Sequence, residues 1–176
     1  MSGHSKWAQI KRQKGAEDAK KSKLFGKLGS LIATESKKAR GDMNAPGLRT
    51  IIEKAKKENM PKDTIERAVK KGAGGESDLM EALTYEAYGP GGCALIIETF
   101  TGNRNKAAQE IKHILAKNGG SLATQHAASW AFTKSEEGWE PNSTIPLSDE
   151  DGATLSTLIA DLESNDEVQD VYTNAD

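Results

Sequence analysis

The apolar positions fall into two textures. Up to about residue 72 they recur at helical spacing: Leu24, Phe25, Leu28, Leu31 and Ile32 form one stripe at i, i+4, i+7 and i+8. That spacing predicts a helix from about Asp18 to Gly41, where a glycine follows Lys37, Lys38 and Arg40 at the negative end of the dipole. Gly26 and Gly29 weaken it, each by about 1 kcal/mol against Ala, or else let another helix come close. Pro46 opens a second helix to about Asn59, burying Leu48, Ile51, Ile52 and Ala55. Pro61 opens a third, burying Ile65, Ala68 and Val69 and ending at Gly72. Three narrow apolar faces predict a small helical bundle with a Lys-rich outer surface.

Past a Gly- and Ser-containing segment at 73–78, read as a linker, the texture changes. Thr84–Tyr88 alternates as a strand does, Gly89-Pro90-Gly91-Gly92 is a turn, and Cys93–Phe100 is a buried strand. A helix follows Asn103-Arg104-Asn105, with Ala107, Ala108, Ile111, Ile114 and Leu115 inward. Ala128–Thr133 is predicted as a strand with Trp130 in the core, and 136–142 as a loop exposing Trp139. Ser143–Pro146 reads as a short edge strand, Ser148 with Asp151 caps a last helix, and Val168–Asn174 closes the sheet. Two strand–helix–strand units in series predict an α+β fold, a two-layer sandwich with two helices on one face of an antiparallel sheet. The expected organisation is thus a basic arm and three-helix domain over 1–72, a linker at 73–78 and an acidic sandwich over 79–176.

Charge sharpens this division. The net charge of −2 hides nineteen Lys/Arg against eight Asp/Glu in residues 1–72, and five against eighteen in residues 73–176. Such asymmetry marks a nucleic-acid-facing part joined to an acidic globular part. Cys93 is the only cysteine, so no intrachain disulfide forms and a reducing cytoplasm is the expected setting. The N-terminus lacks the apolar core of a secretory signal, and no apolar run approaches membrane-spanning length.

The candidate interface is the first forty residues. His4, Lys6, Trp7, Lys11, Arg12, Lys14, Lys20, Lys21, Lys23 and Lys27 crowd a stretch without sustained periodicity before about Asp18. The cations suit phosphates and Trp7 suits an unpaired base. Asn103, Arg104 and Asn105, after a strand and opening a helix, are a second candidate for a phosphate or partner contact; the alternative is an ordinary helix cap. His4, His113 and His126 lack Cys or carboxylates at ligand spacing, so no metal site or cofactor is expected. Cys93 sits inside an apolar strand, where cysteine is usually inert. No catalytic constellation emerges.

Several separate motifs carry a resemblance. Gly3-His4-Ser5-Lys6-Trp7-Ala8, Asn59–Ala68, Tyr88-Gly89-Pro90-Gly91-Gly92 and Thr101-Gly102-Asn103-Arg104-Asn105 together resemble the YebC family across nearly the whole chain. The resemblance implies a non-enzymatic regulator of gene expression. Bacterial members are described as probable transcriptional regulators, some binding DNA, and mitochondrial members as translational activators; a ribosome-associated role has been proposed for bacterial ones. The expected partner is therefore duplex DNA or structured RNA, with the ribosome a further candidate; the sequence leaves the oligomeric state open, with a monomer favoured. The family pattern also places a third domain inside the second, after the strand matching Ala131-Phe132. Here Phe132-Thr133-Lys134 passes through a short loop to Ile145-Pro146-Leu147-Ser148, so the chain resembles a compact two-domain member.

Overall fold

The computed structural model describes residues 14–74, 79–136 and 138–176, with side chains from residue 21. They form two compact units, Asp18–Glu81 and Ala82–Asp176.

The first unit is helical: α1 (Lys14–Ala39), α2 (Pro46–Lys57) and α3 (Lys62–Ala73). The apolar stripes meet as their spacing predicts, with Leu28, Ile32, Leu48, Ile52, Ala55, Met60 and Ile65 buried together. The chain turns out of α1 through Arg40 (φ 52°) and Gly41 (φ 81°). Arg40 N–H donates to Lys37 O at 3.3 Å and Gly41 N–H to Ser36 O at 2.9 Å, so two terminal carbonyls are satisfied. Both residues are left-handed, and the chain enters that conformation at Arg40, one residue before the glycine that marks the stop in the sequence. α3 lies directly on α1: Ser36 Oγ donates to Val69 O at 2.7 Å.

The second unit is an α+β fold. Its sheet has the order β3 (Ser121–Leu122), β1 (Glu81–Tyr88), β2 (Ala94–Thr101) and β6 (Val168–Thr173). β6 runs antiparallel to β2, Ile97 facing Val171, with a register shift between Glu98 and Thr99. α4 (Arg104–Lys117) and α5 (Asp149–Glu163) share a core with this sheet. Ile111 and Leu115 of α4 and Leu155, Leu158 and Leu162 of α5 pack with Leu95, Ile97, Val168 and Val171. Ser148 caps α5, its side chain accepting from Asp151 N–H at 3.1 Å. Ala94 and Ile96 belong to a separate apolar cluster with Tyr88, Tyr172, Ala128, Ala131, Phe132 and Trp139. β2 is thus buried on both faces, which explains its unbroken apolar run.

That second cover corrects the sequence reading. Ala128–Thr133 is not one strand. A 3-10 turn at Ser129–Ala131 precedes β4 (Phe132–Ser135), which pairs with β5 (Gly138–Pro141) as a separate hairpin. The turn breaks the period of two: Ala128, Ala131 and Phe132 are buried, while Trp130, expected in the core, is 68% exposed. Trp139, expected exposed, is half-buried on β5, where its Nε1 donates to Glu98 Oε1 at 3.0 Å. Lys134 Nζ stands 5.2 Å from its ring centre. Ser143–Pro146 contributes a single parallel bridge, Ile145 to Ala175.

The segment before β4 is held by Glu86 of β1. Its Oε2 accepts from His126 N–H at 2.6 Å, and its Oε1 from Ala128 and Ser129 N–H at 3.0 and 2.6 Å. Burial alone would raise the Glu86 pKa, but these backbone donors together outweigh it and hold the carboxyl below its ordinary range.

Candidate nucleic-acid interface

Of the basic residues singled out in the sequence, His4, Lys6, Trp7, Lys11 and Arg12 lie outside the described residues. Lys14 and Lys20 fall on α1. Lys23 and Lys27, four residues apart, share one helical stripe and are half-buried. Lys21 is exposed and sits 5.7 Å from the centre of the Phe25 ring, a cation–π contact one turn along the helix.

The helical unit adds cations that the sequence reading did not single out. Lys54, Lys56 and Lys57 occupy the last turn of α2, and Lys70 and Lys71 that of α3; all five are exposed. Lys37 and Lys38 close α1. Part of the reason is local, since cations complement the negative end of each dipole. The packing goes further. The Ser36–Val69 hydrogen bond and the contact of Gly72 with Ala33 bring the C-terminal ends of α1 and α3 together. The last turns that carry Lys37 and Lys38, and Lys70 and Lys71, therefore lie at the same end of the bundle. The signal for this was present in the last-turn lysines, but their convergence depends on tertiary packing.

Not every cation is at liberty. Lys38 pairs with Glu35 at 2.8 Å, Arg49 with Glu53 at 3.3 Å, and Lys62 with Glu66 at 3.8 Å. These are exposed pairs within single helices, each worth about 0.5 kcal/mol or less, so a phosphate can displace them.

Asn103, Arg104 and Asn105 are exposed and belong to the other unit. Asn103 Oδ1 accepts from Lys106 N–H at 3.1 Å, and Thr101 Oγ1 accepts from Asn103 N–H at 2.9 Å. Thr101 Oγ1 also donates to Glu167 Oε1 at 3.0 Å, and Tyr85 Oη donates to the Arg104 carbonyl at 3.3 Å. The start of α4 is thus capped from within its own unit, and the Glu167 carboxylate beside it opposes an anion.

Cys93 is buried, and burial pushes its thiol up from the ordinary value. His113 and His126 are exposed. Among the described residues no group of three or more His, Cys, Asp and Glu could hold a metal ion, and no helix is long and apolar enough to cross a membrane.

Residues 5–75 match the model of the TACO1/YebC protein N-terminal domain. Residues 80–137 and 133–175 match the TACO1/YebC second and third domain, two stretches that overlap on the β4–β5 hairpin. A probable transcriptional regulatory protein of Fervidobacterium nodosum is 47% identical over 173 residues, 96% of this chain and 68% of the relative. One from Petrotoga mobilis is 50% identical over 136 residues; the chain spans 76% of its own length and 54% of that relative's in the match. One from Thermosipho africanus is 35% identical over 235 residues, 99% of this chain and 93% of the relative. The crystal structure of a conserved hypothetical protein from Aquifex aeolicus superposes with a TM-score of 0.74 at 31% identity, covering 98% of this chain and 97% of that one. With both family models matched along nearly its whole length, the chain belongs to the TACO1/YebC family.

Proposed function

We propose that the chain is a non-enzymatic regulator of gene expression that binds duplex DNA through its basic N-terminal part. The observation that carries this reading is the gathering of cations at one end of the helical unit. The end of α1 that carries Lys37, Lys38 and Arg40 lies there against the end of α3 that carries Lys70 and Lys71. The Lys- and Arg-rich first residues add to the same half of the charge distribution, nineteen cations against eight acids over 1–72. A cationic surface of this kind gains affinity by releasing the counterions condensed on a phosphate backbone. Binding of this type positions a protein on nucleic acid without reading bases. The names of the relatives supply the regulatory context: several are called probable transcriptional regulatory proteins. The acidic unit takes no part in phosphate contact, and a reducing cytoplasm suits its single buried thiol.

The test is a titration of the full chain against duplex DNA and hairpin RNA over a salt series. Affinity for the duplex should fall steeply as salt rises. Absence of duplex binding even at about 50 mM salt would overturn the reading. A strong preference for the hairpin would move the target from the gene to folded RNA in the translation apparatus.

A further inference from the structure

The α+β unit presents an aromatic side chain that its own structure holds in place. Trp130, at 68% exposure, is the most exposed of the large apolar side chains among the described residues. Its Nε1 donates to Ala127 O at 2.9 Å, and its carbonyl accepts from Asn142 Nδ2 at 3.1 Å. The polar atom of the ring is thereby satisfied, and what faces solvent is ring surface. The loop behind it is pinned through three backbone N–H groups to the buried carboxylate of Glu86. His126 is held in that loop at a φ of 67°. A side chain fixed in this way gives up little freedom on making a contact.

The surroundings indicate the class of partner. From Asn118 to Thr133 the chain carries no Asp, Glu, Lys or Arg. A charge-free stretch of chain that carries an exposed aromatic has the composition of a protein interface core. Around it, residues 82–176 carry fifteen Asp/Glu against five Lys/Arg. That surface repels a phosphate backbone and attracts a basic protein surface.

The helical unit of the same chain offers such a surface with an opening in it. A groove of about 520 Å³ runs along α1, where Gly26, Gly29 and Ala33 leave one helix face without bulky side chains. Phe25 and Met60 line it, and Lys71 stands in its wall. A methyl group at Gly26 would meet nothing within 4 Å, and one at Gly29 would meet only Met60 Cε, at 3.7 Å. Residues 18–81 carry fifteen Lys/Arg against ten Asp/Glu, opposite in sign to the unit that bears Trp130.

We propose that Trp130 of one copy seats in the α1 groove of a second copy, joining acidic unit to basic unit. Knob and groove are different patches, so the contact is heterologous and each copy offers one of each. It draws on the apolar ring for binding energy and on the opposed charges for orientation. The contact requires no nucleic acid and does not rest on the regulatory reading above.

Sedimentation velocity of the full chain, freed of nucleic acid, tests it. At low salt the mass should rise with concentration towards about 100 µM, the range of a weak transient contact. Trp130→Ala removes the knob from an exposed position. Gly26→Leu fills the groove where a side chain has room, so both variants keep their fold, which a circular-dichroism melt verifies. Each alone should associate about tenfold or more weakly than the parent chain. Mixed one to one, they should form a heterodimer and nothing larger, because the intact groove of the first accepts the intact knob of the second. A parent chain that stays monomeric at the highest concentration overturns the proposal. So does association that survives either substitution, or a mixture that does not pair.

Discussion

The hydroxyl of Ser36 donates to the backbone carbonyl of Val69 at 2.7 Å, and one turn further on Gly72 touches the backbone of the same helix. A Cβ at Gly72 would lie 2.2 Å from Ala33 O and 2.7 Å from Ser36 Cβ. Backbone cannot swing aside as a side chain can. Gly72→Ala should therefore force α1 and α3 apart, at a cost of about 2–3 kcal/mol. The urea midpoint of the full chain measures it, and an unchanged midpoint would show that the helices do not meet there.

Gly26 is the contrasting position on the same bundle. It lies within α1, and nothing stands within 4 Å of where its Cβ would be. Gly26→Ala should stabilise the helical unit by about 1 kcal/mol, through helix propensity and a less flexible unfolded chain. A thermal melt that moves down would mean that the groove face is occupied.

Glu86 sets a pH dependence. Its folded pKa is lowered, so its contribution is complete above the unfolded value and is lost as pH falls through the folded one. Glu86→Gln places an amide against backbone N–H donors that two carboxylate oxygens satisfy. It should cost about 2–3 kcal/mol at neutral pH. The gap between parent and variant should narrow as the solution is acidified below about pH 4. Chemical denaturation at neutral and acid pH reads this directly; a gap that stays constant with pH would refute it.

Phosphate contact by the first residues predicts a salt signature. Replacing Lys11, Arg12 and Lys14 together by Ala should flatten the slope of log affinity against log salt on duplex DNA by about 3 units. An unchanged slope with unchanged affinity would place the contact elsewhere, with the lysines at the ends of α1 and α3 the next set to replace.

Trp7 separates base stacking from packing. If it stacks on an unpaired base, Trp7→Ala should lose about 1–3 kcal/mol of affinity for hairpin RNA and much less for regular duplex DNA. Trp7→Phe should recover much of the loss, and the salt slope should hold because no charge is removed. Equal loss on both ligands together with a lower melting temperature would mean that the ring packs on the protein instead.

The helices were legible because their signals are local and repeated. Leu28 and Ile32, Leu48 and Ile52, and Pro46 and Pro61 at the helix starts each state period or boundary within a few residues. β2 and the two helices that share one core with its sheet were legible for the same reason. The hairpin was not. Period-two counting carries Trp130 inward only if the chain stays extended, and a single 3-10 turn at Ser129–Ala131 shifts the phase. Trp139 lies among Glu136, Glu140 and Pro141, a composition that reads as loop, and what half-buries it is the distant apolar cluster around Ala94 and Ile96, with Glu98 accepting its Nε1–H. β3 is two residues long and carries no periodic signal of its own. At the candidate interface, individual lysines could be read from the sequence, while their collection at one end of the bundle could not. That collection depends on Ser36 reaching Val69, thirty-three residues away.

Ser135 and Gly138 face each other across the tip of the β4–β5 hairpin. Opposed positions in an antiparallel pair lie about 5 Å apart, so the chain leaves the second unit and returns to it at almost one point. Gly138, at a φ of 129°, lies against the Tyr172 ring, where a Cβ would come within 2.4 Å of the hydroxyl oxygen. This closes the seam on the sheet side. Chain added between the two strands would therefore project outward, and its closure would cost little because the ladder already holds its ends. The tip is a splice point with its ends pre-tied. A whole folded module can be gained or lost there over evolutionary time, or grafted there by design, with neither apolar cluster of the unit recut.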